Sequence, residues 1–120
     1  MKESDVVRLP EKRRQILRQR QGVVCTGGRN QQFALACARK ISGDAITVLS
    51  AGTDGIDGNS SAAGAIVDGS TLERALARGL DPDVHLTGFN AYPFFQSLGD
   101  AITTGPTGNN LRDLRILLAY

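Results

Sequence analysis

The fold of this chain is decided by Leu49-Ser50-Ala51-Gly52-Thr53-Asp54-Gly55-Ile56-Asp57-Gly58, a glycine-rich loop that continues the short apolar run at residues 45–49. The apolar run predicts a strand, and the glycines let the loop after it adopt positive φ and approach a ligand closely. The two aspartates add negative charge that a purely structural turn does not need. The stretch therefore predicts a strand that ends in an active-site loop.

The two carboxylates of this loop have three possible roles. Asp54 and Asp57 could coordinate Mg²⁺, take a proton from a hydroxyl group as a general base, or bond to the backbone of their own turn. The turn role is as good as a functional one for Asp57 but weaker for Asp54, because Thr53 and Asp54 directly follow the strand end where α/β proteins place ligands. A calcium loop of the EF-hand type is disfavoured, since Ile56 stands where an oxygen ligand is needed.

A second candidate site lies at Gly27-Gly28-Arg29-Asn30-Gln31, where Asn30 is predicted to cap a helix over residues 31–41. Free amide groups and the positive end of the helix dipole bind anions at such a position. Arg29 adds a planar fork that suits a carboxylate or a phosphate, and Gln31 could orient either group. A solvated Arg29 beside an ordinary helix cap fits the residues equally well.

A third candidate is the uncharged segment 103–110, which concentrates hydroxyl groups, amides and glycines. Backbone nests of this composition hold anions, but hairpin turns use the same residues for their geometry alone. The residues alone are compatible with both an anion-binding nest and a purely structural turn.

Periodicity and capping signals predict strands that alternate with helices along the chain. The predicted strands are residues 45–50, 65–67, 100–104 and 111–119, and the predicted helices are residues 31–41, 71–78, a short one from 82, and 91–98. Ser70-Thr71-Leu72-Glu73 has the capping-box pattern for the second helix. We expect a single α/β domain, and the tight turn before the last strand predicts a hairpin in a mixed β-sheet flanked by helices.

Composition excludes several classes of protein. With 120 residues, 41% of them hydrophobic and 22% charged, the chain has the make-up of one globular domain. An aromatic fraction of 5% without tryptophan argues against base-stacking nucleic-acid modules. There is no apolar run of transmembrane length and no leader-like N-terminus, so we expect a cytoplasmic protein that contacts neither membrane nor nucleic acid.

No cofactor site is evident in the sequence. The patterns G-x-x-x-x-G-K-[ST] and G-x-G-x-x-G, which hold nucleotide phosphates, do not occur, so neither ATP nor NAD has an evident site. No metal site is predicted. Cys25 and Cys37 have no CxxC pattern and no neighbouring histidine, and we expect both to be reduced thiols.

Charge divides the chain into two parts. Residues 1–29 carry eight Lys or Arg against three acids, or +5, whereas residues 30–120 carry six against nine, or −3. Most of the excess positive charge lies in the basic insert 11–22. We interpret this insert as a solvated surface segment rather than a phosphate-binding one, because no aromatic residue accompanies its basic residues. We assign residues 1–26 to an N-terminal strand with this insert and residues 27–120 to the α/β domain, because a resemblance to a known family begins at Gly27.

Three blocks in the same order resemble one known family. They are Gly27 to Gln31, then Ala51 to Gly58 with Ala62-Ala63-Gly64, and finally Thr104 to Asn110 followed by Asp113-Leu114. Together they resemble the MOFRL domain, the C-terminal domain of two-domain glycerate 2-kinases that are often named hydroxypyruvate reductases. The chain departs from the family pattern at Gln32, at Ser61 and at Phe89-Asn90-Ala91.

The resemblance implies a role in ATP-dependent phosphorylation of D-glycerate. The resemblance implies that Mg-ATP is the cofactor of the full-length family, and that the nucleotide contacts come from an N-terminal domain outside this sequence. Within this picture we assign Arg29 and Asp54 as catalytic, with Arg29 binding the substrate carboxylate or the transferring phosphate and Asp54 activating the hydroxyl group or holding Mg²⁺. The implied substrate-binding residues are Asn30, Gln31, Thr53, Asp57, Thr104, Thr107, Asn109 and Asn110.

Two other classes of function stay open. The chain could be a stand-alone module that binds a small anion, such as glycerate or phosphate, or assembles with a separate N-terminal kinase domain without catalysis. It could also be the reductase that the family's other name suggests, although it lacks a dinucleotide fingerprint. We expect no turnover by the chain alone, and we expect a homo-oligomer, because a domain cut from an interdomain cleft leaves a contact surface exposed.

Overall fold

The computed structural model describes residues 25–120, so the predicted N-terminal strand and the basic insert lie outside the described part of the chain. Described residues form, in order, α1 (Arg29–Lys40), β1 (Ile46–Gly52), β2 (Gly64–Asp68), α2 (Thr71–Ala77), α3 (Pro82–Thr87), α4 (Ala91–Leu98), β3 (Ala101–Ile102) and β4 (Asp113–Ala119). The helices and strands predicted within residues 27–120 are all present, with ends shifted by a few residues. None of these helices is long and apolar enough to cross a membrane.

The strands form one sheet in the order β3-β2-β1-β4. The single α/β domain is confirmed, but the described strands pair only antiparallel, where the sequence predicted a mixed sheet. The reason is the connection between β1 and β2: residues 53–63 form a loop that returns the chain directly beside β1, without the crossover helix that parallel strands need.

The predicted hairpin before the last strand is wrong. β3 and β4 lie at opposite edges of the sheet, so residues 103–112 cross the ends of the two central strands instead of making a tight turn. The N–H of Thr53 donates to the carbonyl of Arg112, and the N–H of Leu111 donates to the Thr53 hydroxyl. These bonds hold residues 103–112, the crossing segment, against the end of β1. From there the chain continues into β4 at the edge of the sheet opposite β3.

One face of the sheet carries the core. Small residues let α1 approach the sheet closely, and its buried Ala34, Leu35 and Ala38 pack in one cluster with Val48 of β1 and Val67 of β2. The two phenylalanines of α4 complete this cluster in an edge-to-face pair with ring centroids 5.2 Å apart. Burying each such large side chain contributes roughly 1.5–3 kcal/mol, so this layer holds α1 on the sheet.

No helix of the described residues 25–120 covers the other face of the sheet. Alternation along the strands and the pairing register put Ile66, Leu114, Ile116 and Leu118 on that side. These four side chains are between 39% and 60% exposed. We call them the open apolar face.

Two predicted helix caps differ from the structure. The helix α1 begins at Arg29, so Asn30 lies inside its first turn and Gly28 occupies the N-cap position without a side-chain bond. The capping box of α2 does not form, because the Ser70 hydroxyl donates to Asp68 Oδ1 at 2.6 Å instead. Asp81 does cap α3 by accepting from two backbone N–H groups, as expected for an Asp-Pro start.

Candidate functional site

The three sequence blocks meet around one shallow cavity of about 260 Å³. It lies where the loop after β1, the first turn of α1 and the start of β4 come together. Its lining residues are Arg29, Asn30, Asp54, Ile56, Asp57, Gly58, Asn110, Arg112 and Asp113. The folding of the chain thus brings the predicted catalytic residues, Arg29 and Asp54, to the same cavity.

Asp57 is the residue that joins the loop to the helix. Its carboxylate accepts from the backbone N–H of Asn30 at 3.0 Å and of Gln31 at 2.8 Å, and also from the side-chain amides of both residues at 3.2 and 3.0 Å. A carboxylate at a helix N-terminus satisfies amide groups that the helix leaves unpaired. The amides that the sequence offered to an external anion are therefore already bound by Asp57, which is 2% exposed.

Gln31 lies behind the cavity wall rather than in it. Its side chain is fully buried and its Nε2 donates to Asp57 Oδ2 and to the Ser60 hydroxyl. Within residues 25–120, its Oε1 has no hydrogen-bond partner. Gln31 thus supports Asp57 in this structure instead of facing the cavity.

Arg29 forms a two-point ion pair with Asp113, the first residue of β4. The Arg29 Nε lies 2.7 Å from Asp113 Oδ2, and Nη2 lies 3.3 Å from Oδ1. Asn30 Nδ2 donates to the same Oδ1 at 3.0 Å, and this bond is the main cause that lowers the pKa of Asp113, with Arg29 adding to it. The pair sets the position of Arg29, which otherwise is largely exposed.

Asp54 faces the cavity with little else to bind it. One carboxylate oxygen accepts the N–H of Ile56 at 3.1 Å, a short turn contact, and no other partner is present among residues 25–120. Gly55 next to it has φ of +86°, and a Cβ there would collide with the Gly105 carbonyl. The close approach of these two glycines is what lets segment 103–110 lie against the loop.

The two threonines of the predicted binding set hold the loops together. The Thr107 hydroxyl donates to the Thr53 carbonyl at 2.6 Å, and the Thr107 N–H donates to the Asp54 carbonyl at 3.1 Å. The Thr53 hydroxyl donates to the Arg112 carbonyl at 2.8 Å. Both hydroxyls are therefore engaged with backbone.

The remaining predicted binding residues divide between the cavity and the surface. Asn110 lines the cavity, whereas Thr104 and Asn109 are exposed outside it. The Thr104 hydroxyl donates to the carbonyl of Gly105 in its own turn.

Sequence reasoning missed Asp113 and Arg112. Asp113 stands in the third block, and its charge opposite to that of Arg29 is the signal that could have found it. Arg112 gives no such signal, because its place in the wall follows from the crossing of residues 103–112 to the far edge.

The described residues offer no place for a nucleotide or a protein-bound metal. In residues 25–120 there is no group of three or more His, Cys, Asp or Glu side chains that could hold a metal ion. The cavity is smaller than the roughly 300–1,000 Å³ of sites for drug-sized ligands.

Gln32 and Ser61, two departures from the family pattern, make structural bonds. Gln32 Nε2 donates to the Leu86 carbonyl at 2.7 Å, and the Ser61 and Tyr92 hydroxyls lie 3.0 Å apart. Phe89 has φ of +53° and lines a second cavity of about 390 Å³ next to the first. Arg29 borders both cavities.

The fold and the site thus define a class of protein. It is an α/β domain with an antiparallel sheet and a polar cavity between a glycine-rich loop and the start of a helix. The sequence matches the MOFRL family over residues 15–113, and the chain belongs to that family. The match begins upstream of the boundary predicted at Gly27.

Known relatives are much longer than this chain. It is 46% identical over 91 residues to the D-glycerate 2-kinase of Thermotoga maritima, a match that covers 75% of this chain and 22% of that protein. A protein of Agrobacterium vitis named as a hydroxypyruvate reductase is 41% identical over 93 residues, covering 77% and 21%. The crystal structure of a glycerate kinase from Thermotoga maritima superposes with a TM-score of 0.78 at 44% identity, covering 81% of this chain and 24% of that one. The chain spans about a fifth of the length of these relatives.

Proposed function

We propose that this chain supplies one wall of a glycerate 2-kinase active site and does not turn over alone. The observation that carries the proposal is that Arg29 and Asp54, from separate sequence blocks, line one cavity. The names of the matched relatives, D-glycerate 2-kinase and glycerate kinase, support the substrate class.

In this proposal each residue has one task. Asp54 accepts the proton of the substrate hydroxyl group, since its carboxylate keeps free acceptor capacity next to the cavity. Arg29 stabilises negative charge on the substrate or on the transferring phosphoryl group with the edge of its guanidinium that Asp113 leaves open. Mg-ATP, when bound by the N-terminal domain of the family, supplies the phosphoryl group.

Most of the other predicted binding residues act by positioning. Asp57 and Gln31 hold the loop on α1, Asn30 and Asp113 orient Arg29, and Thr53 and Thr107 hold the crossing segment. Asn110 lines the cavity and can contact a ligand directly. Phosphoryl transfer depends mainly on positioning and electrostatics, so these supporting bonds matter for the reaction.

A separate N-terminal kinase domain is the partner that this proposal requires. The test is a chimera in which residues 25–120 replace the matching part of the Thermotoga maritima D-glycerate 2-kinase. We expect the chimera to release ADP in the presence of D-glycerate and the isolated chain to release none. A folded chimera without activity would contradict the proposal, as would turnover near 1 s⁻¹ by the isolated chain.

A binding module without catalysis is the second candidate. It is favoured by the internal pairing of Asp57, Asp113 and Arg29, which leaves few groups free for chemistry. In that case the isolated chain binds D-glycerate or phosphate while the chimera stays inactive. Oxidation of NADH with hydroxypyruvate by the chain would instead favour the reductase.

Self-association and a cytoplasmic location remain predictions. The open apolar face gives the homo-oligomer a candidate contact surface, which does not include Phe89. We expect a second copy of the chain to cover it when no N-terminal domain is present.

A further inference from the structure

Arg112 lies in the cavity wall in a backbone conformation that few residues adopt. Its φ of +72° belongs to the left-handed region, which a residue with a Cβ enters at a cost. Two donors of Thr53, the N–H at 2.9 Å and the hydroxyl at 2.8 Å, hold the Arg112 carbonyl in this conformation. The point at which the arginine side chain leaves the wall is therefore fixed by the fold.

The charged groups of the cavity differ in how far they are already paired. The carboxylate of Asp57 has four donors, and that of Asp113 is bound by Arg29 and Asn30. By contrast, the guanidinium of Arg112 has no hydrogen bond and no ion pair with any residue of the described range 25–120. Asp54 keeps all but one of its acceptor positions. Arg112 and Asp54, which both line the cavity, thus carry a guanidinium and a carboxylate that residues 25–120 leave unpaired or mostly unpaired.

We propose that Arg112 binds the carboxylate of a small hydroxy acid whose hydroxyl group donates to Asp54. This inference rests on the proposed function and assigns the orientation of its substrate. A guanidinium matches a carboxylate with two parallel hydrogen bonds, and an ionised Asp54 can only accept, so it pairs with a hydroxyl group rather than with a second carboxylate.

The size of the cavity fits such a ligand. A volume of about 260 Å³ suits a molecule of few heavy atoms, below the roughly 300–1,000 Å³ of drug-sized sites. If Arg112 binds the carboxylate of the ligand, the open edge of the Arg29 guanidinium stays available. It can then contact the phosphoryl group that is transferred to the ligand's hydroxyl group. The two arginines of the cavity then have separate tasks.

The test is an amide NMR titration of the full chain with D-glycerate, with glycerol and with inorganic phosphate. We compare the wild type with Arg112→Asn, because asparagine tolerates positive φ, and with Arg112→Gly as a second variant that keeps this backbone. Arg39→Gln is the matched control, since Arg39 pairs with Asp83 at the other end of α1 and its loss changes the net charge equally.

The expected result is specific to the hydroxy acid. D-Glycerate shifts the amides of Asp54 and Arg112, glycerol does not, and either Arg112 variant weakens D-glycerate binding about tenfold, the loss of one charged hydrogen-bonded contact. Arg39→Gln leaves the affinity unchanged.

Three outcomes would overturn the inference. They are equal D-glycerate affinity in the wild type and both Arg112 variants, no binding by the wild type at tens of millimolar, and an equal loss for D-glycerate and phosphate, which would mark a general oxyanion contact. The proposed function is judged separately by ADP release from the chimera. An active chimera with unchanged affinity in the Arg112 variants would leave that function in place and remove only the role of Arg112.

Discussion

Asp57 holds Gln31 through both the backbone and the side chain: the Gln31 N–H and its Nε2 donate to the same carboxylate oxygen at 2.8 and 3.0 Å. The loop that carries Asp54 is thereby fixed to the first turn of the helix that carries Arg29. Since both groups line the cavity, their relative position depends on this buried contact.

Replacing Asp57 should therefore destabilise the whole domain. We expect Asp57→Asn to lower the free energy of unfolding by about 2–3 kcal/mol, because the buried donors of Asn30 and Gln31 lose a charged acceptor. Asp54→Asn is the matched control and should change it by no more than about 0.5 kcal/mol. Urea denaturation followed by circular dichroism measures both, and equal stability of the two variants would remove Asp57 from its structural role.

The close packing of the loop after β1 against segment 103–110 can be tested by replacing two glycines, one at a time. Gly55 and Gly43 have nearly the same φ, +86° and +85°, but a Cβ would collide with the Gly105 backbone at Gly55 and meet nothing within 4 Å at Gly43. Backbone strain should cost Gly43→Ala about 1 kcal/mol. Gly55→Ala should cost at least about 2 kcal/mol, because the crossing segment must also move. Thermal unfolding of both variants decides, and equal losses would contradict the close packing.

The ion pair of Asp113 predicts a dependence of stability on pH. The pKa of Asp113 is lowered by the Asn30 bond and by Arg29, so the ionised form is favoured in the folded state. Its contribution is therefore present above the unfolded pKa of about 3.9 and is lost as the pH falls through the lower folded value.

Asp113→Asn should accordingly be less stable than the wild type at pH 6, and the difference should shrink between pH 4 and pH 2. Asp68, whose pKa is also lowered by its Ser70 bonds, titrates in both proteins and cancels in the comparison. Melting temperatures across this range measure the effect. A constant difference between the two proteins would show that the ion pair does not favour the folded state.

The open apolar face predicts concentration-dependent association. Ile116→Lys places a charge at its centre, and we expect it to shift the chain toward monomer in light scattering at high micromolar concentration. Phe89→Ser, outside this face, should leave the association unchanged. A wild type that stays monomeric, or a dimer that only Phe89→Ser disrupts, would show that this face is not the contact.

The elements of the fold could be read from the sequence, but their arrangement could not. Helix α4 was predicted with its ends, because its apolar residues recur at helical spacing and Gly99 follows in a left-handed conformation. The place of β4 was not predicted, since the pairing of a strand depends on contacts such as that of Thr53 with Arg112, which are distant in sequence. For the same reason the sequence suggested a local hairpin.

The candidate site was likewise predicted in part. The glycine-rich loop and the glycine pair before Arg29 mark positions where backbone comes close to other groups, and the structure brings both to one cavity. The sequence could not show that Asp57 occupies the helix amides or that Asp113 pairs with Arg29. Both contacts are made between segments that lie far apart along the chain.

The most direct test of the account is the rate of ADP release by the chimera when Asp54 is changed. We predict that Asp54→Asn lowers kcat for D-glycerate by about 10²–10⁴-fold, the usual contribution of a general base, while leaving the melting temperature almost unchanged. Asp44→Asn, at an exposed turn before β1, should have no effect on kcat. A chimera whose Asp54→Asn variant keeps the wild-type kcat would contradict the claim that this cavity is the catalytic wall of a glycerate 2-kinase.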